Sequence, residues 1–298
     1  MSLTTAKLFI TAVIWGGTFI AGRLLGPECS PFTGAFLRFV AANVVLLPYW
    51  LLTEGRPSRM DARLILLVLG LGASGVFAYN AFFLWGLKHI PAGRAAIIVA
   101  GNPVFIALLS RVFFKEPLGK VKILGVVLCL CGAAVVIGRG NPLGLFSGEL
   151  SLGDLAIAGA MFSWVTYSLL GKKVMGKLSP LAAVTLSCLA GMVMLFPPAL
   201  SEGLVHQAAG LSSTGWAAIV YLGVLGTAVG FLWFYQGIQK IGASKAAVFI
   251  NFVPVSAAIM GAVLLGEPID ASILAGGALV LTGVALTNRP GEQKLHDS

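Results

Sequence analysis

Charge is what this chain has least of. Of its 298 residues, 11 are Asp or Glu and 20 are Lys or Arg, so 10% is charged against 58% hydrophobic. A soluble globular chain carries roughly 25% charged residues to clothe its water-facing surface. The shortfall excludes a cytosolic enzyme, a DNA-binding factor and a disordered scaffold, and points to a membrane protein. At about 20 residues per spanning helix plus short connections, the length holds roughly ten crossings and leaves no room for a soluble catalytic domain.

Reactive side chains are equally sparse. Of four cysteines, Cys129 and Cys131 lie in one apolar run and Cys188 in another, which reads as buried small thiols and gives neither a disulfide nor a zinc framework. The three histidines, His89, His206 and His296, fall at a run end, in a loop and in the tail. No Ser/His/Asp or metal-ligand spacing reaches the apolar runs, so no catalytic residue, metal or cofactor is expected. The net charge of +9 sits in short gaps and forms no stripe, which argues against a nucleic-acid partner. A ring of charges or a repeated filter sequence, the marks of a pore, is missing too.

What the chain has in quantity is the continuous apolar run. Ten occur, near residues 7–25, 32–52, 64–87, 93–113, 121–138, 152–171, 180–200, 215–237, 244–265 and 271–287. Barrel strands would alternate with period two, and these do not. Laid on itself at an offset of 149 residues, the chain matches Trp15, Gly22, Ser30, Pro31 and Pro48 to Trp164, Gly171, Ser179, Pro180 and Pro197. After a two-residue insertion the offset is 151, and Gly72, Gly75, Gly86, Pro103, Glu116, Pro117, Gly125 and Gly132 fall on Gly223, Gly226, Gly237, Pro254, Glu267, Pro268, Gly276 and Gly283. Two five-helix repeats follow, 5–138 and 150–288, with 289–298 as a tail. The first run therefore reads as a retained helix and not as a signal peptide.

Five is odd, so the second repeat enters the bilayer upside down relative to the first. The basic residues agree. Lys7, Arg56, Arg59, Arg63, Arg111, Lys115, Lys120, Lys122, Lys172, Lys173, Lys177, Lys240, Lys245, Arg289 and Lys294 fall on one side, and Arg23, Lys88, Arg94 and Arg139 on the other. The positive-inside rule puts both termini in the cytoplasm. The expected fold class is an all-α membrane protein with ten transmembrane helices as two inverted five-helix repeats. Such repeats build alternating-access carriers, with the site near mid-bilayer where the halves meet. The alternative of another class is an intramembrane enzyme or lipid-handling protein.

Several short motifs keep register across residues 5–288: Trp15-Gly-Gly-Thr18 in the first run, Leu37-Arg38-Phe39 in the second, Asn102-Pro103 in the fourth, the paired Glu116-Pro117 and Glu267-Pro268, and the glycines of the fifth and tenth runs. In these the chain resembles the EamA-type drug/metabolite transporters, and among them the YddG-type exporters of amino acids. The resemblance implies export of a small-molecule substrate across the inner membrane through a central cavity lined by runs 1, 3, 4, 6, 8 and 9. Multidrug efflux is the runner-up within the class.

The residues of those runs suit an amphipathic solute. Tyr79, Asn80 and Phe83 share one helical face, Trp164, Tyr167 and Ser168 another, and Phe231 a third. Rings with a hydroxyl or amide at the edge hold such a solute by stacking and a few hydrogen bonds. Trp15 and Trp164 stand out because the repeat places both at equivalent depth. Asn80, Asn102 and Asn251 lie in apolar runs, where each amide must meet a helix, a water or a ligand. Pro103 and Pro254 interrupt the hydrogen-bond ladder at repeat-related positions and are candidate hinges.

Three charges read as structural. Arg38 lies about seven residues into its run, ~10 Å at 1.5 Å per residue. It is expected to snorkel toward the outer surface or to pair there with carbonyls and carboxylates, because its repeat counterpart is Ser187 and a substrate role would be unmatched. Glu116 and Glu267 precede runs 5 and 10 and are expected to stabilise helix N-termini. The acids fall in loops, tails or run ends, so no carboxylate is placed to shuttle a proton, and neutral or zwitterionic solutes are favoured over cationic drugs. The glycines Gly125, Gly132, Gly276 and Gly283 are expected to pack within the chain, with membrane lipid around a monomer.

Overall fold

The computed structural model of the protein describes residues 3–55, 60–99, 101–102, 104–105, 109, 120–137, 151–174, 177–241, 249–250 and 252–287. Every regular element among the described residues is helical, and the apolar runs are helical wherever they are described except at Gly101, which sits in a turn. The elements are α1 (Leu3–Leu25), α2 (Pro31–Thr53), α3 (Ala62–His89), α4 (Ala92–Val99), α5 (Lys120–Ile137), α6 (Leu152–Val174), α7 (Pro180–Ser201), a short α8 (Leu204–Gly210), α9 (213–241), α10 (Phe252–Leu265) and α11 (Ala271–Thr287). Five of them, α1, α2, α3, α7 and the Ser213–Gly237 part of α9, are long and apolar enough to cross a membrane.

Local chemistry sets the ends of these helices. Ser30 and Ser179 stand at the N-caps of α2 and α7, each followed by proline, which costs nothing where the helix has no N–H acceptor. Asp61 caps α3 by accepting from the Leu64 N–H at 2.7 Å, and Ser212 caps α9 by accepting from the Gly215 N–H at 3.1 Å. Helices α2 and α7 stop at Gly55 (φ +69°) and Gly203 (φ +86°), left-handed positions that a side chain would strain. The loop expected around 201–214 contains α8, whose Gln207 accepts from the Ser30 N–H at 2.7 Å.

The packing recurs at the repeat offsets. Helix α2 lies against α7 and α5 against α11; α1 lies against α9 and α10, while α6 lies against α3 and α4. Small residues make the closest approaches. A Cβ added to Gly72 would lie 2.8 Å from Ala190 Cβ and from the Gly191 N, and one added to Gly223 would lie 2.7 Å from Ala41 Cβ and 3.1 Å from the Ala42 N. Ala190 and Gly191 are the repeat counterparts of Ala41 and Ala42. Gly86 meets Ile157 as Gly237 meets Leu8, again at counterpart positions. Gly132 of α5 would bring a Cβ to 2.6 Å from the Gly276 carbonyl of α11, so these two helices meet inside the chain.

Polar clasps tie the helix ends. Around the first loop, Glu28 accepts from the Ser212 hydroxyl at 2.7 Å and Glu202 from the Thr33 N–H at 2.9 Å. Nearby, Arg94 holds Asp154 bidentately, Nε to Oδ1 at 2.7 Å and Nη2 to Oδ2 at 2.8 Å, with both side chains buried. At the opposite end Lys177 reaches Asp61 at 2.9 Å and the Ser179 hydroxyl donates to Glu54. Lys177 and the Leu64 N–H hold the Asp61 carboxyl below its ordinary range. The contact therefore adds its stability above the ordinary carboxylate pKa and loses it as pH falls through the depressed value.

Two outcomes are expected in thermal unfolding of the purified protein. Gly223→Ala forces a Cβ into the α2 backbone and destabilises by about 1–3 kcal/mol, whereas Gly210→Ala, with nothing within 4 Å, leaves the transition in place. Asp154→Asn removes the charge that Arg94 clasps through two hydrogen bonds and lowers stability by about 1.5–3 kcal/mol; an unmoved transition would show that the pair carries no such burden.

Candidate functional site

Two helices change their winding halfway along. Residues Gly72–Ala78 of α3 and Tyr221–Val229 of α9 are π-helical, and they occupy corresponding positions at the 151-residue offset. A π-turn bonds each N–H five residues back, so the ladder slips and leaves backbone carbonyls looking for donors. Side chains supply them. Asn80 Nδ2 donates to the Val76 carbonyl at 2.8 Å and the Gly75 carbonyl at 3.4 Å, and the Thr227 hydroxyl donates to the Leu222 carbonyl at 2.9 Å. The indole Nε1 of Trp15 donates to the Gly226 carbonyl at 2.9 Å. Gly75 and Gly226 are repeat counterparts, so Asn80 and Trp15 do the same work in the two halves.

Arg38 of α2 bridges the two segments. Its Nη1 donates to Asn80 Oδ1 at 2.7 Å and its Nε to Thr227 Oγ1 at 3.1 Å. The side chain does not snorkel: the residue is 4% exposed and ends in the protein interior, because two helices with unusual winding present it with acceptors there. Among the described residues no carboxylate lies within ion-pair distance of it.

Beside this bridge lies a cavity of about 60 Å³. Helix α1 contributes Trp15, Thr18 and Phe19, α2 contributes Arg38, and α3 contributes Tyr79. Val99 of α4 and Asn102 just beyond it form another wall, Trp164 of α6 and Phe231 of α9 face them, and Ile250 and Val253 complete the lining. The rings interlock. Trp15 and Trp164 meet edge to face at 6.2 Å, each meets Phe231 edge to face at 5.8 and 5.3 Å, and Tyr79 lies 5.4 Å from Trp164. Such geometry satisfies the ring quadrupoles while leaving ring surface free for a solute. Asn102 is 6% exposed, and its Oδ1 has no hydrogen-bond partner among the described residues.

Of the residues singled out in the sequence, Trp15, Tyr79, Asn102, Trp164 and Phe231 line the cavity together. Asn80 sits one layer back, 1% exposed, where it holds Arg38. Phe83 is buried between Phe19 and Tyr79, with ring centroids at 5.1 and 5.4 Å. Tyr167 packs onto Gly75 with its hydroxyl 3.4 Å from Ser187 Oγ, and the Ser168 hydroxyl donates to its own helix at the Trp164 carbonyl, 2.8 Å away. Neither lines the cavity, because the first fills the groove left by a glycine and the second satisfies itself locally. Pro254 is buried in α10 beside Val253. Asn251, Pro103 and Glu116 lie outside the described residues. Thr18 belongs to the motif already noted with Trp15, whereas Phe19, Val99, Ile250 and Val253 are as apolar as their neighbours and carry no signal; Thr227 follows the flagged Gly226, but nothing in the sequence announces the π-turn that recruits it.

Glu267 works on a different helix from the one expected. Gly266 (φ +66°) turns the chain back, and the Glu267 carboxylate accepts from the Ala92 N–H at 3.0 Å and the Gly93 N–H at 3.4 Å, at the start of α4 in the other half. Arg23 lies 3.8 Å from it and donates to the Leu87 and Lys88 carbonyls at the end of α3. A cation on the last carbonyls of α3 and an anion on the first amides of α4 thus clasp the turn between them. Before α11 the cap is Asp270, which accepts from the Ile273 N–H at 2.9 Å.

The chain as a whole has recognisable relatives. The EamA-like transporter family matches twice, over residues 4–138 and 151–289. A Bacillus subtilis protein described as an uncharacterized transporter, YyaM, is 30% identical over 92% of this chain and 89% of its own length. A Streptantibioticus cattleyicolor protein described as a probable terminal-alkyne amino-acid exporter is 31% identical over 97% of this chain and 94% of its own. A crystal structure of 22% sequence identity superposes with a TM-score of 0.69, covering 96% of this chain and 98% of that one, and so shares the fold. With apolar helices long enough to cross a bilayer and family matches over nearly its whole length, the chain belongs to the EamA-like transporter family and is a multi-pass membrane transporter.

Proposed function

We propose that this transporter is an alternating-access exporter of neutral or zwitterionic amino acids, aromatic ones included, or of related small metabolites, built as two inverted five-helix repeats in the inner membrane with its lysine-rich end in the cytoplasm. The observation that carries the reading is the cavity itself: repeat-related Trp15 and Trp164 meet edge to face in its wall, with Tyr79 and Phe231 beside them and polar groups at its edge. Amphipathic solutes are held by this combination of ring faces and a few placed hydrogen bonds. The double family match and the paired contacts Gly72/Gly191 and Gly223/Ala42 support the repeat. The described name of the Streptantibioticus relative supports an amino-acid cargo.

About 10–15 Å³ of such space holds one water, so the cavity as it stands admits a few waters and not an aromatic amino acid. Admission requires the rings to part, as alternation between two states provides. Pro254 in α10 and Pro103 in the fourth run remain the hinges we assign to that motion. Asp154 is the only buried acid among the described residues; it is bound to Arg94 and does not line the cavity. The reading therefore includes no obligatory proton coupling and disfavours multidrug cations.

Counterflow in proteoliposomes preloaded with unlabelled phenylalanine, at equal pH on both sides, tests it. Labelled phenylalanine is expected to accumulate transiently, and Trp164→Ala to lower the initial rate by about tenfold through loss of a stacking wall. Uptake that requires a pH gradient, or that fails for every amino acid while quaternary ammonium compounds are carried, would overturn the reading.

A further inference from the structure

The two polar groups on the cavity wall are each incomplete in a way that points to one ligand. Arg38 is a buried cation that lies over its neighbour Phe39's ring at 5.5 Å and whose hydrogen-bond partners among the described residues, Asn80 and Thr227, are neutral acceptors that engage two of its five N–H donors. An isolated charge removed from water is costly unless a counter-ion joins it, and among the described residues none does. Its two bonds fix the plane of the guanidinium at the cavity margin. Asn102 presents the opposite deficiency, an acceptor oxygen that is buried, lines the same cavity and has no donor among the described residues. A carboxylate completes the first and an ammonium the second.

Resting on the reading that this cavity is the transport site, we infer that Arg38 and Asn102 together form a head-group site for an α-amino acid. The guanidinium receives the carboxylate, Asn102 Oδ1 receives the ammonium, and the substrate side chain lies among the rings of Trp15 and Trp164. The repeat explains why there is one such site and not two. The counterpart of Arg38 is Ser187, and the counterpart of Thr18 is Tyr167, whose ring fills the groove over Gly75 and whose hydroxyl meets Ser187. Where one half carries a cation beside open space, the other is plugged. Specificity follows: an amine without a carboxylate meets Arg38 and no balancing anion, so it is rejected, whereas a carboxylate without an amine is accepted but leaves Asn102 unpaired.

The test uses the full-length protein in lipid nanodiscs with labelled L-phenylalanine, displaced by L-phenylalanine, by 3-phenylpropionate, which lacks the ammonium, and by phenethylamine, which lacks the carboxylate. Phenylalanine should compete best, 3-phenylpropionate about tenfold more weakly, and phenethylamine not measurably. Arg38→Gln should weaken both carboxylates by about tenfold or more, with Arg38→Lys intermediate because it keeps the charge and loses the fork. Asn102→Ala should abolish the preference of phenylalanine over 3-phenylpropionate while leaving 3-phenylpropionate binding in place, a change that a merely structural role would not produce. Because Arg38 also bridges two helices, the wild-type competition series and Asn102→Ala decide the matter even if Arg38→Gln does not fold. Phenethylamine competing as well as phenylalanine, or Asn102→Ala keeping the preference, would overturn the head-group site while leaving amino-acid transport standing. Failure of the wild-type protein to bind any amino acid would overturn both.

Discussion

The guanidinium of Arg38 is the interaction on which the centre of this protein depends. It reaches from α2 to a π-helical segment in each half of the chain, Asn80 following one and Thr227 within the other. Neither π-turn is favourable alone, since each leaves carbonyls without ladder partners. They persist because side chains at fixed places supply donors: Asn80 and Thr227 do so directly, Trp15 does so from α1. The same three residues then set the cavity margin, because the atoms that repair the backbone also orient Arg38 and the Trp15 ring. Local winding, helix contact and cavity wall are one problem with one solution.

Close approach between helices makes that solution reachable. The glycines of α3 and α9 let backbones come within van der Waals contact of α7 and α2, at Ala190–Gly191 and at Ala41–Ala42. In lipid, where apolar side chains gain little by leaving the solvent, such small-residue packing and interhelical hydrogen bonds supply much of the association. The charged clasps at the helix ends, Arg94 with Asp154 and Arg23 with Glu267, sit away from the cavity and join segments distant in sequence. The molecule thus concentrates formal charge pairs near its ends and keeps a single unpaired cation, among its described residues, at its centre.

Much of this was legible in the sequence, and the reasons are specific. The helices show because apolar runs of spanning length have no other reading, and the Trp15/Trp164 pair shows because a repeat marks equivalent positions. Glu267 was read as a cap but assigned to the wrong helix, since sequence proximity to α11 says nothing of a glycine turn that folds the carboxylate onto α4. For Arg38 the unmatched counterpart Ser187 points to snorkelling or to pairing near the surface, and the structure differs because its acceptors, Asn80 and Thr227, lie 42 and 189 residues away along the chain and are aligned by π-turns that no local pattern encodes. Tyr167 and Ser168 fell on the right helix with the wrong face or partner, and the apolar lining residues carry no chemical signal that separates them from packing.

The central claim is that the cavity between Trp15 and Trp164, with Arg38 at its edge, is where the transported molecule sits. The most direct measurement is an experimental structure of the full-length protein in lipid nanodiscs with saturating L-phenylalanine. The account predicts ligand density between the two indoles with the carboxylate within 3 Å or so of the Arg38 guanidinium, about the length of a charge-assisted hydrogen bond. A protein that exchanges phenylalanine yet shows the ligand at another site, with this cavity closed around unbound Arg38, would contradict it.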